Sequence, residues 1–161
     1  MAIHFVADLN FDGNSVRHAY PHGFADSREL TRRICEVWRA RVAADDTVWI
    51  LGNVGNPVHL ADLPGTKHLV RGAFDPQSWN CLATRRYASV CETRVLETPE
   101  ATFFLASNPA GAPEDMRVLH GRAHAGWSQP GHVCVAVDRT EWGPISLERI
   151  LGRAVDVRRA A

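Results

Sequence analysis

The chain is 161 residues long with 45% apolar and 22% charged residues, the make-up of one globular domain whose core needs no disulfide or structural metal. Eighteen Lys and Arg balance eighteen Asp and Glu, so the formal net charge is zero, which argues against a dedicated nucleic-acid or anionic-membrane surface. Composition excludes collagen, coiled coil and disorder. No apolar run reaches the roughly 20 residues of a membrane span, and Met1-Ala2-Ile3-His4 lacks the basic start of a signal peptide, so a soluble cytoplasmic protein is expected.

Residues 3–7 alternate and stop at Asp8, which predicts a first strand with a polar tip. Asn10 to Phe24, rich in Gly, Asn, His and Pro, predicts a long loop. Asp26 and Glu29 form a capping-box-like start, and Leu30, Ile34, Val37, Trp38 and Val42 share one helical face. Together they predict an amphipathic helix from Arg28 to Ala44. Thr47 to Leu51 is a second strand closed by Gly52-Asn53, and a short helix is expected around His59 to Leu63. Lys67 to Arg71 is a third strand leading into Gly72-Ala73-Phe74-Asp75. Val90 to Glu97 and Ala101 to Ala106 read as a hairpin around Thr98-Pro99-Glu100. Arg117 to His120 and His132 to Asp138 are two further strands, and Ser146 to Gly152 is a closing helix. Alternating β and α elements followed by mostly β predict a single α/β sandwich domain spanning residues 1–161.

Cys35, Cys81, Cys91 and Cys134 form no CxxC pair and have mostly apolar neighbours, so they read as buried free thiols. The chain also carries eight histidines. His18 and His22 fall in the long first loop and read as exposed. His120-x-x-x-His124 straddles a strand end, where a spacing of four does not place two imidazoles together as it would on a helix. His4, His68 and His132 lie within strands and read as structural. Ser107 is a hydroxyl at a strand end but lacks a Gly-x-Ser-x-Gly elbow. Trp127 and Trp142, near loops, are either a partner surface or core-closing residues.

Polar loops follow successive strand ends: Asp8-Leu9-Asn10, Gly52-Asn53, Gly72-Ala73-Phe74-Asp75, Ser107-Asn108-Pro109 and Gly121-Arg122-Ala123-His124. In open α/β sheets the crevice beyond the strand C-termini is the ligand site. These five loops, in this order, resemble the calcineurin-like metallophosphoesterases, whose motifs are Asp-x-His, Gly-Asp, Gly-Asn-His-Asp, a Ser-His-x-Pro-like step and Gly-His-x-His. The flanks are similar too. Asp45 to Gly52 resembles the run into Gly-Asp, and Leu63 to Gly72 the run into Gly-Asn-His-Asp. Val135 to Asp138 with Pro144 to Glu148 resembles the C-terminal signature of the small bacterial phosphoesterase branch.

The resemblance covers roughly residues 3–151. It implies a metallophosphoesterase-like αββα sandwich of two mixed β-sheets flanked by helices. It also implies two cations about 3.5–4 Å apart that generate a hydroxide nucleophile for phosphoester hydrolysis. At the positions the resemblance assigns to metal ligands, Asp8 and His124 match. Asn10 stands in place of a His, Asn53 in place of the bridging Asp, Ala73 in place of an Asn, Asn108 in place of a His and Arg122 in place of a His. Phe74 replaces the His that would assist the leaving group, while Asp75 matches a supporting Asp. A neutral amide cannot offset two dications, and a guanidinium repels them.

The expectation is therefore a degenerate member of the family, a pseudoenzyme that works by binding or regulation. The alternative is an active phosphoesterase or other hydrolase with a single-metal or relocated site. No cofactor is expected beyond, at most, one weak divalent cation at Asp8 and His124. The expected partner is a small anionic ligand or a protein, with Arg122, Asn10, Asn53 and Asn108 as candidate anion-binding groups. Arg122 is expected to pair internally with Asp8 or to face the crevice and bind an anion.

Overall fold

The first strand, β1 (Ile3–Val6), is buried from His4 onward. The computed structural model describes residues 1–13, 23–122 and 129–152. β1 pairs in parallel with β2 (Thr47–Leu51), β2 with β3 (Thr66–Val70) and β3 with β4 (Ser89–Cys91). On its other edge β1 pairs antiparallel with β9 (Ile145–Ser146), giving the order β4-β3-β2-β1-β9. A second sheet has the order β5-β6-β7-β8, from β5 (Thr93–Glu97), β6 (Thr102–Ala106), β7 (Arg117–His120) and β8 (His132–Cys134). Its first pair is antiparallel and the other two are parallel.

The period-2 alternation of β1, β2 and β3 sorts their side chains into two cores. Val6, Val48, Ile50 and Leu69 face one way and meet Leu30, Ile34 and Trp38 of helix α1 (Ser27–Arg41). Phe5, Ala7, Trp49, Leu51 and Val70 face the other way and meet Phe103, Leu105 and Leu119 of the second sheet. Phe5 and Phe103 pack tilted across this inter-sheet core with ring centroids 6.4 Å apart. The chain is thus a mixed α/β domain with two mixed sheets and a helical layer on the first. No helix among the described residues is long and apolar enough to cross a membrane.

Helix α1 starts where its cap predicts. Asp26 accepts the Glu29 N–H at 2.9 Å, and Glu29 reaches back to the N–H of Ala25 at 2.7 Å. It stops at Arg41, earlier than expected, because Val42 turns extended. Asp46 then accepts the N–H groups of Ala43 and Ala2 and meets the buried His4 at 3.2 Å, tying the start of β1 to the helix exit.

Four differences from the expected elements stand out. The strand expected over Val90 to Glu97 is two strands that break at Glu92, one in each sheet. The strand expected over His132 to Asp138 ends at Cys134. From there the chain leaves the second sheet, Ala136 bridges to Ala7 of the first, and residues Val137–Arg139 form a 3-10 turn. Helix α2 (Ser78–Ala83) was not anticipated. The closing helix occupies residues 147–152, since Ser146 belongs to β9.

Candidate functional site

The loops after β1 and β2 run side by side as a continuation of their parallel pairing. The N–H of Asp8 donates to Gly52, that of Asn10 to Asn53 and that of Phe11 to Val54, each at 2.9–3.0 Å. To make these bonds while turning, Asp8, Asn10, Asp12 and Asn53 adopt left-handed backbone, with φ of 56°, 44°, 59° and 54°. Asp and Asn tolerate that region better than other non-glycine residues. The residue type at these positions therefore answers a backbone demand as well as a chemical one.

Asp8 is 4% exposed and has both carboxylate oxygens occupied. Oδ1 accepts the Asn53 side-chain amide at 2.7 Å, and Oδ2 accepts the main-chain N–H of Arg122 at 2.6 Å. Burial pushes the Asp8 carboxyl above its usual range. The bonds from Asn53 and Arg122 and the Arg122 charge oppose that shift, and the Asp138 charge adds to it.

The other end of the Asn53 side chain accepts the Phe74 N–H at 3.3 Å. Asn53 thus spans the loops after β1 and β3, where a metal-bridging carboxylate stands in the family that the sequence resembles. Asp75 fixes this junction: its Oδ2 accepts from Asn53 and Gly72, and its Oδ1 from Val54, all main-chain N–H groups at 2.8 Å. The loops approach so closely that a Cβ on Gly72 would lie 2.6 Å from Asn53 Oδ1. One on Gly121 would lie 2.6 Å from the Ser107 carbonyl and 3.1 Å from Asp8 Oδ2.

The five loops therefore approach one another at their main chains, with the side chains of Asp8, Asn53 and Asp75 turned inward. Arg122 corrects one expectation. It reaches Asp8 through its main chain, while its guanidinium forms its ion pair with Asp138 at 2.9 Å, without hydrogen-bond alignment at that oxygen. Arg122 and Asp138 are 42% and 21% exposed at their side chains, and Arg139 adds a longer contact of 3.8 Å to Asp138.

The four candidate anion-binding groups do not converge as a set. Asn10 donates to the Asp8 carbonyl at 3.0 Å, and Asn108, exposed, accepts the N–H of Ala110 in its own loop. Ala73 is exposed and offers no donor atom. Phe74 projects into solvent at 87% exposure rather than into the crevice. His124, with His18, His22 and Trp127, lies outside the described residues. Among the described residues no cluster of three or more His, Cys, Asp or Glu side chains is placed to hold a metal ion.

The remaining sequence candidates have structural surroundings. His68 meets Ser89 Oγ at 2.7 Å and stacks on Trp49 with centroids 4.6 Å apart; burial holds its pKa below the usual histidine value. His120 and His132 lie 5.7 Å apart on the second sheet, and His120 Nδ1 is 2.6 Å from the Gly121 carbonyl. Trp142 packs edge-on against Phe24 and, partly buried, onto the first core. Cys35 and Cys81 are buried free thiols, but Cys91 and Cys134 are only half-buried.

Asp138 was missed as a site residue. Its signal was present in Val135 to Asp138, an apolar run ending in an acid at the same sheet edge as the other loops.

No family model matches the chain, and no curated protein matches it at a significant level. Among solved structures it is similar to one described as the crystal structure of the protein of unknown function AQ665 from Aquifex aeolicus. The TM-score is 0.75 at 19% identity, over 94% of this chain and 98% of that one. At this identity the likeness establishes the shared fold alone.

Proposed function

We propose that this chain is a metallophosphoesterase-like domain, an αββα sandwich in kind, whose two-metal hydrolytic site has been replaced by an internal hydrogen-bond network and which acts by binding. The observation that carries the reading is the state of Asp8. Asn53 and the Arg122 main chain each bond one of its oxygens, and the same Arg122 carries a guanidinium that pairs with Asp138.

The residues present do not fit a pair of dications. Such a pair needs a bridging carboxylate and several neutral imidazoles or carboxylates. The equivalent positions here give an amide that donates into Asp8, an alanine and an arginine. Losing the bridge and the leaving-group residue together removes both the hydroxide nucleophile and its proton partner. What remains at the crevice edge is a self-neutralised polar floor beside an exposed aromatic, Phe74, a surface suited to a macromolecular contact more than to a small anion.

The test is elemental analysis of the purified protein, calorimetric titration with manganese, and assays of phosphodiester and phosphomonoester hydrolysis with manganese, nickel or zinc. Fewer than two tight sites and background hydrolysis are expected. Two tight cation sites, or metal-dependent turnover abolished by Asp8→Ala, would overturn the proposal and favour an active phosphoesterase.

A further inference from the structure

Strands β6 and β7 run parallel, so their N-terminal ends and the residues leading into them lie side by side. There Glu100, Ala101, Thr102, Asp115, Met116 and Arg117 line a cavity of about 410 Å³, within the roughly 300–1,000 Å³ range of small-molecule sites. Ser107 and Gly121 follow the opposite ends of these two strands, so the cavity is separate from the crevice and uses neither Asp8 nor Arg122.

The walls of the cavity are fixed by the fold. Thr98 Oγ1 donates to the Ala101 carbonyl at 2.8 Å and accepts the Ala101 N–H at 3.1 Å, which pins the turn that carries Glu100. Arg117 pairs in register with Phe103 of the inter-sheet core and is half-buried, while Glu100 and Asp115 are exposed. Among the described residues none of these three charged side chains has an ion-pair or hydrogen-bond partner. A half-buried guanidinium keeps five N–H donors to be met, and ionised carboxylates can only accept. Two carboxylates against one guanidinium leave the cavity with an excess of negative charge.

We infer that this cavity binds a free basic amino acid, its α-carboxylate on Arg117 and its two cationic groups on Glu100 and Asp115. A carboxylate matches the edge of a guanidinium through two parallel hydrogen bonds. A ligand that answers all three charges carries one anionic and two cationic groups, which are the α-carboxylate, α-ammonium and side-chain cation of lysine or arginine. Ala101, Met116 and the Thr102 methyl offer apolar surface for the aliphatic stem between them. An inorganic phosphate or a dicarboxylate would satisfy Arg117 but meet two like charges, and a metal dication would meet the guanidinium.

Titration of the full chain with L-lysine at low salt, followed by two-dimensional amide NMR spectra, reads the site. Saturable shifts are expected at residues 100–102 and 115–117, with a dissociation constant on the order of 1 mM because both carboxylates compete with water. Arg117→Gln and the Glu100→Gln/Asp115→Asn double variant should each weaken binding at least ~10-fold, and the double variant changes only exposed side chains, so its fold is kept. L-Glutamate at matched ionic strength, and Nα-acetyl-L-lysine, which lacks one cation, should each bind at least ~10-fold more weakly than L-lysine. No saturation with L-lysine up to ~20 mM overturns the inference. So do shifts centred elsewhere, or an affinity unchanged in the double variant. Glutamate or the acetylated lysine binding as well as L-lysine would overturn the assignment of three charges to three partners.

Discussion

Replacing Asp75 by Asn keeps the size and shape of the side chain and changes only what it can accept, so it isolates the clamp under the crevice. The carboxylate takes three main-chain N–H groups at 2.8 Å, from Asn53, Val54 and Gly72. A carboxamide can put its oxygen where Oδ2 now accepts two of them. Its NH2 then faces the Val54 N–H, donor against donor. That loses one charge-assisted bond, about 1.5–3 kcal/mol, and leaves a buried donor without an acceptor. The other two bonds fall from charge-assisted to neutral, about 1 kcal/mol each, since charged hydrogen bonds are roughly twice as strong. The expected loss is about 3–5 kcal/mol, a large share of the roughly 5–15 kcal/mol that holds a domain folded. Urea unfolding followed by tryptophan fluorescence measures it: the midpoint should fall with the m-value unchanged. A loss under about 1 kcal/mol would refute the view that Asp75 welds the loops together.

Gly121→Ala should be nearly as damaging, because its Cβ would meet the Ser107 carbonyl at 2.6 Å, and a thermal melt should show a clear loss. Arg122→Ala should cost under about 1 kcal/mol, since the half-exposed guanidinium contributes a surface-type ion pair and the main-chain N–H to Asp8 survives; a loss of several kcal/mol in urea would contradict this. Burial raises the folded pKa of Asp8 above 3.8, so its contribution is fully present below that value and is lost as pH rises through the raised one. The stability of wild type relative to Asp8→Asn should therefore grow as pH falls toward 3.8, and a difference that shrinks would refute the assignment.

Strands β1, β2 and β3 were legible because composition and alternation agree in each. Thr47–Leu51 is β-rich in composition, and its alternating Val48/Ile50 and Trp49/Leu51 fill two separate cores. Helix α1 was legible from its cap. What stayed hidden was where the chain changes sheets. The residues on either side of Glu92 continue one alternating pattern, yet Cys91 pairs with β3 and Thr93 with β6; periodicity reports which face is buried and is silent about which neighbour buries it. Helix α2 was hidden for another reason, since Gln77 supplies no side-chain cap and the helix lasts under two turns. At the site, the meeting of Asp8, Asn53 and Asp75 could be anticipated from motif order. The role of Arg122 could not, because the group that holds Asp8 is a main-chain N–H that any residue there would bring.

The polar floor also sets what a cation would have to overcome. Asp8 already shares its negative charge with two donors, the Asn53 amide and the Arg122 N–H, one on each oxygen. A cation there would meet a carboxylate whose charge is partly met and would be repelled by the Arg122 guanidinium. The same bonds make the loops stiff: Asn53 ties Asp8 to the Phe74 main chain, and Asp75 ties Asn53 to Gly72. The side chain that meets Asp8 therefore also fixes the Phe74 main chain, so the loops after β1, β2 and β3 are joined through Asn53.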